Sequence, residues 1–292
     1  MHKFQRDKFI EVVNKRLKKN KNIFFLSADF GAPALDDLRK KFKRNFVHLG
    51  ISEQNMIDVS IGLALEGKTV INYAMAPFIS LRCLEQLKTA SLMNLPIITL
   101  VPGIGLGYAD AGPTHYSTED ASCLNSMIGS NVYTASDGLI AENLAKKILN
   151  KPEFCFIRFE RNAYEDITKK VKLSDINKGF RSVFKKLSKK REIKKCIISR
   201  GYILTKILEE VVGLKKNNNL EIIDLFKSKP LSKEFKNYIK RFDKITFVDE
   251  QIPVSSLGNQ LAYVFHPKVH ISKLKSKVFL IVSSLSPGNP KI

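Results

Sequence analysis

Short apolar runs alternate with stretches of helical periodicity through the first half of the chain. Ile23–Ala28, Thr69–Ala74, Ile97–Val101 and Phe154–Phe159 read as strands, and Phe46–Leu49 and Val132–Thr134 as shorter ones. Between them, Glu53–Glu66, Phe78–Met93 and Asp137–Leu149 carry apolar residues at helical spacing. Ser52 is placed to cap the first of these helices and Gly67 to stop it, and Asn94-Leu95-Pro96 ends the second. Ser117-x-x-Asp120 has the form of a capping box opening another short helix. At the N-terminus, Phe9, Ile10, Val13 and Leu17 recur as on an amphipathic surface helix.

The alternation breaks in a lysine-rich stretch, residues 166–194, with Lys169-Lys170, Lys185-Lys186 and Lys189-Lys190-Arg191. A second alternating unit follows: strand Cys196–Ser199, helix Tyr202–Val212, strand Glu221–Leu225, helix Lys233–Ile239, strand Ile245–Val248 and helix Ser255–Val264. Strands alternating with helices imply parallel sheets covered on both faces. The expected fold class is therefore α/β, with two consecutive doubly wound domains of mainly parallel sheets. Residues 1–165 form the first, 166–194 a linker and 195–292 the second.

Composition narrows the picture. A hydrophobic fraction of 44% with 26% charged residues, over 292 residues, supports a sizeable core and excludes wholesale disorder. The four cysteines have no Cys-x-x-Cys spacing, which excludes a disulfide scaffold and the usual zinc patterns. The longest apolar candidate, Leu95–Leu106, is broken by Pro96, Pro102, Gly103 and Gly105, short of the ~18 residues a membrane span requires. Residues His2–Asn20 carry lysine and arginine throughout and lack the apolar core of a signal peptide, so the cytoplasm is the expected address.

The net charge of +21 invites a nucleic-acid reading, but its distribution argues against one. Residues 1–150 contribute only +4 and the remainder +17, and the stretch 50–137 is net −5. A lysine-rich solvated surface is expected instead, with neither nucleic acid nor membrane as partner.

Three places have the character of a site at the carboxyl edge of a sheet. In Gly50-Ile51-Ser52-Glu53-Gln54-Asn55-Met56 a strand meets a helix start, and Glu53 falls in the first helical turn. There it complements the helix dipole, or it is a partly buried functional carboxylate, because the following helix is apolar on most sides. Gly103-Ile104-Gly105-Leu106-Gly107 is not the dinucleotide fingerprint, which needs G-x-G-x-x-G opening a helix, and reads as a flexible loop. Asp110-Ala111-Gly112-Pro113-Thr114-His115 holds a histidine on a rigid turn, where it can serve as hydrogen-bond donor or acid.

In order and spacing, these segments resemble the pyrimidine-binding domain of transketolases and deoxyxylulose-phosphate synthases. The set includes Gly62-Leu63-Ala64, Gly67-Lys68-Thr69, Phe78-x-x-x-Arg82-x-x-Glu85-Gln86, Asn94-Leu95-Pro96, Gly112-Pro113-Thr114-His115 with Glu119-Asp120, and Ala135-x-Asp137. The likeness runs from about Asp29 to Arg161, and Lys229-Pro230-Leu231 and Val248-Asp249-Glu250 before Gly258 are similar to the family's C-terminal domain. The resemblance implies that the chain works with thiamine diphosphate. Glu53 would hydrogen-bond the aminopyrimidine ring nitrogen, and Phe78, Met75 and Arg82 would lie about the ring, although Phe78 also reads as an ordinary core residue. His115 would stand beside the reacting carbons, Arg161 would hold a sugar phosphate and Asp29 would contact a substrate hydroxyl.

The Gly-Asp-Gly…Asn segment that holds the diphosphate through Mg2+ in the family is absent from this sequence. The resemblance therefore implies the C-terminal subunit of a split transketolase, transferring a two-carbon ketol unit between sugar phosphates. No metal ligand is expected on this chain, Mg2+ belonging to an N-terminal partner subunit, and an α2β2 assembly follows from the family's two-fold pairing. Departures at Val101-Pro102-Gly103, Ala111 and Met75 point away from the usual pentose phosphates toward a specialised sugar. Rival readings are a deoxyxylulose-phosphate synthase-like subunit, a 2-oxo acid dehydrogenase β-like subunit and a non-catalytic partner subunit.

Overall fold

A computed structural model describes residues 4–28, 32–186, 193–212, 219–252, 257–258, 261 and 274–276. In chain order the elements are α1 (Gln5–Leu17), β1 (Ile23–Ser27), α2 (Asp36–Lys41), β2 (Phe46–His48), α3 (Glu53–Leu65), β3 (Thr69–Tyr73), α4 (Leu84–Leu92), β4 (Ile97–Pro102), α5 (Asp120–Ser126), β5 (Asn131–Thr134), α6 (Gly138–Asn150) and β6 (Cys155–Phe159). They continue with α7 (Leu173–Lys178), β7 (Arg181–Lys186), β8 (Lys195–Ser199), α8 (Tyr202–Val212), β9 (Leu220–Asp224), β10 (Lys227–Lys229), α9 (Lys233–Tyr238), β11 (Lys244–Phe247) and β12 (Leu274–Ser276). Among the described residues no helix is long and apolar enough to cross a membrane.

The first sheet has the order β10-β5-β6-β4-β3-β1-β2, parallel except for β10. Its strands bury both faces. On one, Phe25, Ile71, Ile98, Leu100, Tyr133 and Ile157 meet α1, α2 and α6. On the other, Leu26, Val70, Ile97, Val101, Val132 and Phe156 meet α3, α4 and α5. The period-2 alternation of each strand thus feeds two cores rather than a core and a wet face. α6 shows the local logic: Asp137 accepts a hydrogen bond from the Ile140 N–H at 2.8 Å as N-cap, and Ile140, Ala141, Leu144, Ala145 and Ile148 form the buried stripe.

The second sheet has the order β12-β11-β8-β9-β7, parallel except for β7. Part of the expected connection 166–194 is therefore structured: it carries α7 and the edge strand β7. Lys185 and Lys186 hid that strand from a reading by pattern, because an antiparallel edge strand exposes alternate residues and tolerates lysine there. β10 leaves the second unit to pair with β5, and Thr134 N–H donates to the Phe226 carbonyl at 2.8 Å, so the first sheet is completed by later chain.

Three local expectations are corrected. Ser52 precedes α3 but does not cap it, since its hydroxyl donates to the Leu49 carbonyl at 2.6 Å. Ser117 forms no capping box: its backbone bridges to Gly105, and the Asp120 carboxylate is taken by Arg158. The helix expected over Phe78–Met93 is divided at Cys83 into a π-helical turn, Phe78–Arg82, and α4. The expected helix Ser255–Val264 lies mostly outside the described residues.

Buried ion pairs and hydrogen bonds brace the first unit and join it to the second. Arg158 binds Asp120 through two nitrogens at 2.6 and 2.9 Å and donates to Thr134 Oγ1 at 2.7 Å. Arg181 of β7 reaches Asp137 at 2.6 Å and Asp224 at 2.9 Å, and Ser136 Oγ donates to Asp224 at 2.5 Å. The Glu160 carboxylate, at the end of β6, accepts the N–H of Tyr202 at the start of α8 at 2.7 Å. Burial, with the nearby Glu250 charge adding to it, pushes the Glu160 carboxyl up to about 8. Burial raises Asp224 to about 6 despite Arg181.

These buried contacts can be tested in two ways. Asp120→Ala leaves the Arg158 guanidinium buried and unpaired, and denaturant unfolding is expected to show a loss of roughly 3–5 kcal/mol; a loss below about 1 kcal/mol contradicts the pairing. The folded state also keeps a proton on Glu160 that the unfolded chain releases above its ordinary carboxyl range. The associated stability is full at low pH and lost as pH rises through about 8. The melting temperature is expected to fall between pH 5 and pH 8.5, less steeply in Glu160→Gln; an equal slope in both contradicts it.

Candidate active site

β1 and β3 are neighbours, yet the chain leaves β1 toward β2 and leaves β3 toward β4. Their carboxyl ends flank the crevice where open α/β sheets bind ligands. Gly50, at φ 71°, makes the turn from β2 toward α3 in a conformation that disfavours a side chain. The first residue of α3 is Glu53, 3% exposed, so its carboxylate sits at the positive end of the helix and out of water.

Across from it, the π-helical turn after β3 presents Arg82. Its Nη1 pairs with Glu53 Oε2, and Gln54 Nε2 donates to the Arg82 carbonyl at 3.0 Å. The two partners are unequal: the Glu53 side chain is 4% exposed and that of Arg82 41%. The acid is fixed and the arginine is the partner with room to move. The adjacent Cys83 thiol is pushed up to about 12 by burial, with the Glu53 charge adding to the effect.

The contact continues through aromatic rings. Arg82 Cζ stands 4.8 Å from the centroid of the Phe78 ring. Phe78 in turn meets the His115 ring edge to face, with centroids 5.3 Å apart and planes at 75°. His115 closes the short turn Pro113–His115, entered through Gly112 at φ 87°, and its Nδ1 lies 2.9 Å from Thr114 Oγ1. Met75, half-buried, precedes Phe78 by three residues, and its carbonyl accepts the Phe78 N–H at 3.1 Å.

The fold thus brings Glu53, Arg82, Phe78 and His115 into one continuous run, with Met75 beside it. Arg161 is held apart from them. It donates to the Gly107 carbonyl at 3.2 Å, pairs with Asp110 and lies 4.3 Å over the Tyr108 ring. That pairing holds the Asp110 carboxyl below its usual range. Arg161 thus meets the loop between β4 and α5 that also carries His115. Asp29 lies outside the described residues.

Sequence reasoning missed Tyr108 within this loop and Glu160 and Glu250 beside it. Their partners are distant in sequence, and no local spacing signals them. The arrangement can do one thing well: present a fixed, dehydrated carboxylate to a flat heteroaromatic ring that offers a nitrogen, with an aromatic and a thioether as walls. An aminopyrimidine fits that donor set. Among the described residues, no group of three or more histidine, cysteine or carboxylate side chains stands together to hold a metal ion.

Residues 5–166 match the family model described as transketolase, pyrimidine binding domain. One of the subunits of an apulose-4-phosphate transketolase from Phocaeicola vulgatus is 32% identical over 165 residues, 56% of this chain and 53% of that protein. The match thus spans about half the length of that relative. A putative transketolase C-terminal section of Methanocaldococcus jannaschii is 26% identical over 254 residues, 85% of this chain and 77% of that protein. A solved structure described as a split-gene transketolase, an inactive β4 tetramer, shares the fold, with a TM-score of 0.77 at 19% identity over 95% of this chain and 89% of that one. With more than half of its residues matched by the family model, the chain belongs to the transketolase family through its pyrimidine-binding domain.

Proposed function

We propose that this chain is the C-terminal subunit of a split, thiamine diphosphate-dependent transketolase that moves a two-carbon ketol unit between sugar phosphates. The observation that carries the reading is Glu53: a buried carboxylate at a helix start, beside Phe78 and His115, whose ion-pair partner Arg82 is partly exposed. Bound thiamine diphosphate supplies the electron sink for carbon–carbon bond cleavage.

The chain's own residues prepare the site. Glu53 would hold the aminopyrimidine ring nitrogen through a shared proton, with Arg82 turned away toward water. Phe78 and Met75 would cover the ring and exclude water from it. His115, edge-on to Phe78, stands where a substrate oxygen beside the ring meets a donor. Arg161 presents a guanidinium suited to a phosphate, with Asp110 occupying it in the meantime.

The diphosphate and Mg2+ are assigned to an N-terminal partner subunit carrying a Gly-Asp-Gly…Asn segment, in an α2β2 assembly. Two relatives support a partner: the Phocaeicola vulgatus protein is one subunit of its transketolase, and the structural neighbour comes from a split gene. A cofactor held between two polypeptides couples its affinity to their assembly.

In the complex reconstituted with the diphosphate-binding subunit, Glu53→Gln is expected to lower ketol transfer by at least ~10² while leaving assembly intact. Full activity in that variant overturns the reading, as does ketol transfer by the purified chain alone with thiamine diphosphate and Mg2+.

A further inference from the structure

The loop that carries His115 is gripped at both ends by three consecutive residues of the second unit. Its ends are closed on each other by a two-way backbone bridge, Gly105 N–H to the Ser117 carbonyl at 3.1 Å and Ser117 N–H to the Gly105 carbonyl at 2.9 Å. At the first end, the Glu250 carboxylate faces the backbone at Gly105 and Leu106. At the second, Gln251 Nε2 donates to the Ser117 carbonyl at 3.1 Å, and Gln251 Oε1 accepts the Ala121 N–H at 3.4 Å. Ile252 N–H donates to the Thr118 carbonyl at 3.0 Å.

The grip is built for close approach. Gly105 stands at φ +60°, and a β-carbon there would collide with the Glu250 carboxylate. The gripping segment is itself fixed one residue earlier. Asp249 pairs with the buried Arg200 at 2.6 Å and accepts the N–H groups of Glu250 at 3.1 Å and Leu257 at 3.0 Å. Gln251 is 2% exposed, so its amide exchanges no water bonds for these contacts.

We propose that Glu250, Gln251 and Ile252 are positioning residues: the second unit clamps the β4–α5 loop and thereby sets His115 against Phe78. Its consequence for catalysis rests on the transketolase reading above; the clamp itself does not. A loop pinned at both ends has few conformers left, so a side chain near its middle is placed without a bond of its own to the sheet. The second unit thereby acquires a task in the reaction that it performs through the loop, at a distance from the Glu53–Phe78 run.

The clamp also senses protons. Glu250 is faced by Glu160 and Arg158 from β6, by Arg200 after β8 and by its neighbour Asp249, with Asp120 bound to Arg158 behind them. Burial raises the Glu250 carboxyl to about 7, with the Leu106 backbone opposing the shift and Asp249 adding to it. In the released loop the same carboxyl meets water and titrates in the ordinary range. The clamped form is therefore fully favoured at low pH and loses that advantage as pH climbs through about 7.

Hydrogen exchange on the full chain, corrected for the intrinsic rate at each pH, reads the clamp directly. Protection across residues 106–121 is expected to fall severalfold between pH 6 and pH 8.5 in the natural chain. Glu250→Gln, which keeps an acceptor for Leu106 but cannot ionise, is expected to hold its protection at both. Glu250→Ala and Gln251→Ala are expected to lose at least tenfold at pH 6, with the rest of the first sheet unchanged. In the reconstituted complex, Glu250→Ala is expected to lower kcat at least tenfold with thiamine diphosphate binding within threefold, and Glu250→Gln to restore it. Unchanged protection in Glu250→Ala, equal loosening in Glu250→Gln, or an unaltered kcat overturns the proposal. If Glu53→Gln is fully active while Glu250→Ala loosens the loop, the transketolase reading fails and the clamp stands.

Discussion

A carboxylate withdrawn from water at the start of α3 is the constraint around which the rest of the first unit is arranged. Leaving Glu53 uncompensated there would be costly, and one guanidinium, reaching from the turn after β3, compensates it. The pairing is lopsided in exposure, and that asymmetry is its use. The acid cannot leave, because Met56 and Ile57 of the same helix are packed in the core, whereas the arginine can turn toward solvent. In the proposed site, a ring nitrogen replacing the arginine would meet an acid already in position, which is how preorganisation lowers a barrier.

Around that pair the two units share labour. The first supplies the acid, the rings and the histidine. The second closes the first sheet with β10 and buries its own acids against arginines at the junction. Three of the junction's acids, Asp224, Glu160 and Glu250, hold protons above the ordinary carboxyl range. The junction thus balances its surplus of carboxylates over arginines with protons rather than with more cations, although the chain carries a large excess of lysine. Lysines suit a solvated surface, and arginines, with their fixed fork of donors, suit buried carboxylates.

Much of this was legible in the sequence where local pattern decides the outcome. The all-buried strand β4, the helix α6 and the start of α3 at Glu53 follow from the apolar period and from Ser52 and Gly50 before the helix, whereas Asp137 as the cap of α6 does not. The nearness of Glu53, Arg82, Phe78 and His115 was legible through the ordered family motifs, which stand in for spatial knowledge. Hydroxyl geometry was not legible: Ser52 and Ser117 are capping residues by type, yet the Ser52 hydroxyl turns to the Leu49 carbonyl and Ser117 meets Gly105 through its backbone. Nor were β7 and β10, both short antiparallel edges rich in lysine. The Arg158–Asp120 pair and the clamp on the His115 loop join residues far apart in the chain, and no spacing rule reaches that distance.

The most direct test is a crystal structure of the chain bound to its diphosphate-holding partner and thiamine diphosphate. The account predicts a Glu53 carboxylate oxygen about 2.6–3.2 Å from the aminopyrimidine ring nitrogen, with Phe78 against the ring and Arg82 turned away. A ring seated elsewhere, with Glu53 still bound to Arg82, would contradict it.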